Sequence, residues 1–299
     1  IYSILFYSEV SCTAMNLNTA VTLRSGLAMP QFGLGTWLSK NKGEAAASVK
    51  TALEKGYRMI DTAQMYGNEE DIGSAIKLWC SENPTKEPPF VVTKLAGDQH
   101  VGQGSPTNAL IESLKRLQME CVDLYLMHSP SGGNCVETWK EMLECKAKGL
   151  VKAVGVSNFG VDQLEGIRLE GLEAPEVNQI EFHAWLQQKP AHLYMKEHGI
   201  ACMGFCPLAR CKQFEKTGLV EVAKKRGVSE ALMAIRWSLD QGVITIPKSS
   251  NPERIGANAT AVGLAPLSEE ERRVVNGCDV KYRASNASGA MSLPWDEVK

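Results

Sequence analysis

The chain has 299 residues, 44% of them hydrophobic and 22% charged, enough to bury one large core or two modest ones. Its 32 basic and 34 acidic residues leave a net charge of −2, so no field recruits nucleic acid or an anionic membrane surface. No run approaches the ~20 apolar residues of a membrane span. Nine scattered cysteines without a C-x-x-C pair argue against a disulfide framework and for a reducing, cytosolic setting. Cys202, Cys206 and Cys211 follow His192 and His198, but lack the usual spacing of zinc ligands, and no metal is expected.

The opening IYSILFYSEVSCTA has no basic n-region and no clear cleavage site, so it reads as a poor signal peptide. Residues 1–18 are read as an N-terminal extension, with 1–14 an upstream addition to the native chain, and residues 19–299 as one domain. Patterning begins with AVTLRSGLAMPQ, a hairpin turning at Ser25-Gly26. Short apolar runs then alternate with helical periods. FGLGTW is a strand and 43–55 a helix; YRMID is a strand and 69–78 a helix. FVVTK is a strand and 106–118 a helix, with Pro106 in its first turn. VDLYLMH precedes a helix over 135–148, VKAVGVS one over 161–169, and EVNQIEF one over 190–198. IACMGFC is followed by a helix over 229–241, and VITIPKS by one from about residue 252.

Continuous apolar strands joined by helices imply a parallel sheet covered by helices. Eight such units in about 250 residues predict a closed (β/α)8 TIM barrel, with the N-terminal hairpin closing its bottom. An open doubly wound sheet would want a glycine-rich fingerprint, and GLGTW at 33–37 lacks the third glycine.

Barrel enzymes build their sites at the carboxyl ends of the strands. The second strand ends on Asp61, the third on Lys94 and the fourth on His128, with Tyr66 in the loop after the second. Taken singly, each has a plain structural use: a helix cap, a surface charge, a satisfied histidine, a packed aromatic. Their joint arrival at three successive strand ends points to one reaction centre. A phenol with pKa about 10 is a poor acid at neutral pH; a nearby lysine lowers that pKa, and an aspartate keeps the lysine charged. A neutral histidine can orient a substrate oxygen. Such a set would protonate the oxyanion formed when hydride reaches a carbonyl carbon.

The blocks GYRMIDTAQMYGNEEDIG, VVTKL, ESLKRLQMECVDLYLMH and VKAVGVSNF, then NQIEFH and ITIPKS…ERI, resemble the signature blocks of the aldo-keto reductase superfamily, in order over roughly residues 19–277. The resemblance implies a (β/α)8 barrel, NADPH, and a catalytic tetrad onto which Asp61, Tyr66, Lys94 and His128 fall, with Tyr66 as general acid. The variant that reduces steroid double bonds carries Glu in place of the tetrad His, so His128 favours carbonyl reduction. Ser157, Asn158 and Gln179 would pair with the nicotinamide carboxamide, both donor and acceptor. Phe205 stands where a stacking Tyr is common, and Cys206 where Ser is usual; Thr36, Asp61 and Leu208 take further cofactor positions. Lys248, Ser249 and Arg254 lie at a helix N-terminus, itself an anion site. They match the grip on the 2′-phosphate that selects NADPH over NADH. Asn258 matches an adenine contact, while Ala257 replaces an acidic one.

Trp37, Tyr66, His128 and Ser129 would face the substrate. Ala96 and Ser129 stand where aromatic residues are common in the aldose-reducing branch, so the pocket is expected to be wider and less apolar. The tail VKYRASNASGAMSLPWDEVK is expected to supply the remaining wall through Trp295. ARCKQFEKTG leaves only a short loop where many mammalian members fold a longer one over the pyrophosphate, so that clasp is expected to be short or absent. The reading is a cytosolic monomer that reduces aldehydes or ketones with NADPH; the alternative is a cofactor-binding regulatory or sensing module on the same barrel.

Overall fold

The computed structural model describes residues 15–39, 43–215 and 217–299; the reading of 1–14 falls outside them. Strands β1 (Ala20–Thr22) and β2 (Ala28–Pro30) pair antiparallel, with Val21 opposite Met29. Gly26, at φ 87°, makes the turn at the predicted place. Met15 and Leu17 pack on the apolar shell of the barrel, so the described part of the predicted extension lies against the body of the domain.

The barrel follows in chain order: β3 (Leu34–Gly35), α1 (Glu44–Glu54), β4 (Met59–Asp61), α2 (Glu69–Glu82), β5 (Phe90–Leu95) and α3 (Pro106–Leu117). Next come β6 (Val122–Met127), α4 (Cys135–Ala147), β7 (Val151–Ser157), α5 (Val161–Leu169), β8 (Val177–Glu181) and α6 (Lys189–Glu197). The series closes with β9 (Ala201–Phe205), α7 (Gly218–Arg226), α8 (Glu230–Asp240), β10 (Ile244–Thr245), α9 (Pro252–Thr260), α10 (Glu269–Asn276) and α11 (Trp295–Val298). Strands β3 to β10 are parallel and hydrogen-bonded in sequence order. Bridges from Phe32 to Thr245 and from Gly35 to Lys248 join the first strand to the last, as a (β/α)8 barrel requires. A Cβ on Gly35 would stand 3.0 Å from the Ile246 carbonyl oxygen, so glycine lets the closing strands approach.

The first and last barrel strands are shorter than the predicted 32–37 and 243–249; the last ends just short of Pro247, which has no N–H for the ladder. Helix α2 runs past 78 to Glu82 because Ile72, Ile76 and Trp79 carry its buried stripe another turn. Helices α10 and α11, and a 3-10 stretch over Asn286–Ser292, were not anticipated.

Alternation along the strands explains where the site forms. Val91 and Leu95 face the helices, whereas Phe90 and Val92 face the barrel interior. Lys94 is therefore in the inward phase. The same count puts Asp61 inward after Met59, His128 after Leu126, and Gln179 after Val177. Leu23 and Met29 of the hairpin join the interior cluster with Met59, Val92 and Met203. The hairpin plugs the amino end of the barrel, leaving the carboxyl end open.

Candidate active site

Lys94 is fully enclosed on β5 and aims its ammonium at three acceptors. Asp61 Oδ1 lies at 2.8 Å, the Thr62 carbonyl at 2.8 Å and Tyr66 Oη at 3.3 Å. Every N–H of the ammonium is used. The other Asp61 oxygen accepts from Gln179 Nε2 at 2.7 Å. Tyr66 closes a 3-10 turn over Gln64–Tyr66, followed by Gly67 at φ 66°. His128 stands edge-on to it, ring centroids 5.7 Å apart and planes at 71°. Asn68, which the sequence did not single out, pins this loop: it accepts from Thr62 Oγ1 at 2.7 Å and donates to the Thr36 carbonyl at 3.0 Å.

Burial pulls Asp61 up and Lys94 down, each toward its neutral form, and their ion pair opposes both. The Tyr66 phenol is held well above its ordinary range, by burial first and the Asp61 charge second. This corrects the expectation that Lys94 lowers it: the ammonium lies closer to Asp61 than to the phenol, and burial outweighs it. His128 is brought down to about 3, by burial and then by the Lys94 charge, so its ring is neutral at physiological pH. Its Nδ1 is buried with no partner among the described residues.

A cavity of about 1040 Å³ opens above these groups. It brings together the predicted Trp37, Asp61, Tyr66, His128 and Ser129, and also Ser157, Asn158, Gln179, Phe205, Cys206 and Lys248. Thr36 is buried beneath it, its hydroxyl donating to the Asp61 carbonyl at 2.8 Å. Leu208, Ser249, Arg254 and Asn258 do not line it. The last three share the β10–α9 segment with Lys248: Asn251 caps α9 by accepting the Arg254 N–H at 2.9 Å, and Arg254 is exposed on its first turn. Ala96 lines the cavity beside Ser129 and Ser131, small groups where a wide pocket was expected.

The rim over β7 and β8 suits an amide. Asn158 Nδ2 donates to the His128 carbonyl at 3.0 Å, while its Oδ1 is buried without a partner among the described residues. An orphaned acceptor there fits a carboxamide N–H₂. Both N–H bonds of Gln179 are committed, to Asp61 and to Met203 Sδ at 3.1 Å, so only its carbonyl oxygen remains for a ligand. The Cys206 thiol is pushed up to about 11 by burial, which keeps it protonated.

The tail does supply a wall, but not through Trp295. Ser285, Asn286, Ala287, Gly289, Ala290 and Leu293 line the cavity. Trp295 packs instead on α5, where a Cβ on Gly166 would lie 2.3 Å from its ring, and its backbone N–H donates to Asp162 Oδ2 at 2.9 Å. The loop after β9 is short, yet the Arg210 guanidinium sits 4.9 Å from the Trp37 ring centroid, joining two sides of the mouth.

The sequence profile of the Aldo/keto reductase family matches residues 31–280. Methylglyoxal reductase DkgA of Escherichia coli strain K12 is 41% identical over 244 residues, 80% of this chain and 86% of that protein. Glyoxal reductase of Bacillus subtilis strain 168 is 38% identical over 256 residues, 86% and 91% of the two chains. Among solved structures, a Bombyx mori aldo-keto reductase in complex with NADP superposes with a TM-score of 0.83 at 31% identity, covering 92% of this chain and 97% of that one. With a (β/α)8 barrel, a buried lysine–aspartate–tyrosine cluster and these relatives, the chain belongs to the aldo-keto reductase family and is an NADP-dependent oxidoreductase.

Proposed function

We propose that the protein reduces small aldehydes and ketones to alcohols, with Tyr66 as the proton donor. The observation that carries this is the Lys94 tripod. One of its three N–H bonds occupies a Tyr66 lone pair at 3.3 Å, so the phenol's own proton is left to point into the cavity. A substrate oxygen there meets two neutral donors, the Tyr66 O–H and a His128 ring N–H. When bound, NADPH supplies the hydride. As the substrate oxygen gains negative charge it takes the Tyr66 proton, and Lys94 holds the resulting phenolate. Asp61 and the Thr62 carbonyl keep Lys94 charged and aimed.

Asn158 and Gln179 are proposed to hold the carboxamide, Phe205 to stack on the nicotinamide, and Lys248, Ser249 and Arg254 to hold the 2′-phosphate. Thr36, Leu208 and Asn258 are assigned supporting places along the same cofactor path. Relatives named for methylglyoxal and glyoxal favour short dicarbonyls as substrates, while the small residues Ala96 and Ser129 leave room for larger carbonyls. All these groups come from one chain, so a monomer suffices. The test is label transfer: NADPH carrying deuterium at C4 should place it on the carbinol carbon of a reduced aldehyde. Tight NADPH binding with no carbonyl reduced across a panel of aldehydes and diketones would overturn the reading.

A further inference from the structure

The reacting floor of the cavity belongs to the strands, whereas the facing wall belongs to the tail. Something must set one against the other. On β8, Gln179 and Glu181 are two residues apart and share the inward phase. Gln179 holds Asp61. Glu181, with no exposed surface, accepts the Ala284 N–H through Oε1 at 2.5 Å and the Ser285 N–H through Oε2 at 3.1 Å. Its Oε1 also lies 3.0 Å from His183 Nε2. A buried carboxylate is costly unless it is hydrogen-bonded, and here it bonds the two backbone amides that begin the cavity wall.

The far end of the wall is held the same way with the polarity reversed. Gln163 Nε2 donates to the Ala290 carbonyl at 2.9 Å and the Leu293 carbonyl at 2.7 Å, and its Oε1 accepts the Gly160 N–H at 2.6 Å. A Cβ on Gly160 would lie 2.2 Å from the Met291 carbonyl oxygen, so the tail is seated flush against α5.

We propose that Glu181, assisted by Gln163, is a positioning residue that sets the substrate wall against the tetrad. One strand thereby ties Asp61, through Gln179, to the wall, through Glu181. The inference rests on reading the cavity as the carbonyl site.

Glu181→Gln is the sharpest test, because it keeps the shape but turns an N–H₂ toward a backbone N–H. Losing a charge-assisted bond of this kind is expected to raise KM for a bulky aldehyde roughly ten-fold, with kcat and NADPH affinity within about two-fold. The 284 and 285 amides should exchange hydrogen faster by a similar factor. Gln163→Ala, which removes the other end, should show the same KM split even if the Glu181 variant fails to fold. In the double variant the two effects should be less than additive, since both release one segment. Unchanged KM, or kcat, NADPH affinity and thermal stability all falling together, would overturn the proposal. A wild type that reduces no carbonyl would remove the underlying reading instead.

Discussion

At the floor of the cavity Lys94 has no exposed surface and Asp61 has 2%; at its mouth Trp37 is 37% exposed and Met65 67%. The floor is over-determined. Lys94, Asp61, Thr62, Gln179 and Tyr66 are joined by direct hydrogen bonds, so moving one strands another as a buried polar group. The mouth is joined by single contacts, such as Arg210 on Trp37, that solvent can replace. The strand ends carry the fully enclosed groups, whereas loop residues at the mouth can be substituted at little cost in stability; the tail wall stands between the two, because buried Glu181 and Gln163 hold it.

Substitutions should separate the two regions by size of effect. The largest is expected at Lys94. Lys94→Met leaves Asp61 as a buried, unpaired carboxylate, a loss of roughly 3–5 kcal/mol of stability that urea unfolding would measure. Arg254→Ala, outside the enclosed floor, should weaken NADPH binding about ten-fold or more by removing a charge-assisted phosphate contact, with NADH binding unchanged by fluorescence titration. Equal loss for both cofactors would place the phosphate elsewhere.

Per pH unit, an effect no larger than that at Arg254 should appear as pH dependence of stability. His128 is neutral in the fold because burial brings its pKa from 6.5 down to about 3. The unfolded chain takes up a proton near 6.5, so this contribution is complete above that pH and is lost as pH falls toward 3, by at most ~1.4 kcal/mol per pH unit. His128→Gln should flatten that part of the profile; parallel profiles would show that His128 does not titrate this way. The smallest effect is expected at Arg210. Its contact with Trp37 is of a kind worth ~0.5–1 kcal/mol, so Arg210→Ala should speed NADPH release only a few-fold in stopped flow.

How much of this was legible in the sequence divides along the same line. Asp61, Lys94 and His128 stand at the ends of continuous apolar runs that are visible locally, and strand ends are where a barrel builds its site; which face each side chain takes emerges only with the two packed layers. Gly26 at a turn and Pro106 at a helix start are equally local signals. The pairing of Gln179 with Asp61 spans 118 positions, and that of Glu181 with Ala284 spans 103. Neither leaves a mark in periodicity: closure of the barrel creates the first, and the tail returning to β8 creates the second. The tail was read by its one tryptophan, Trp295, although mostly small residues line the cavity and the tryptophan anchors the tail outside it. The sign of the Tyr66 shift was misjudged for a related reason: a neighbouring charge is visible in a motif, whereas desolvation depends on everything packed around it.

The most direct measurement is single-turnover reduction of an aldehyde by NADPH-loaded Tyr66→Phe beside wild type. A positioned general acid contributes roughly 10²–10⁴ in rate. The variant should lose a factor in that range while NADPH affinity stays within about two-fold of wild type. A variant that retains most of the wild-type rate would contradict the assignment, and another group, His128 first, would then have to deliver the proton.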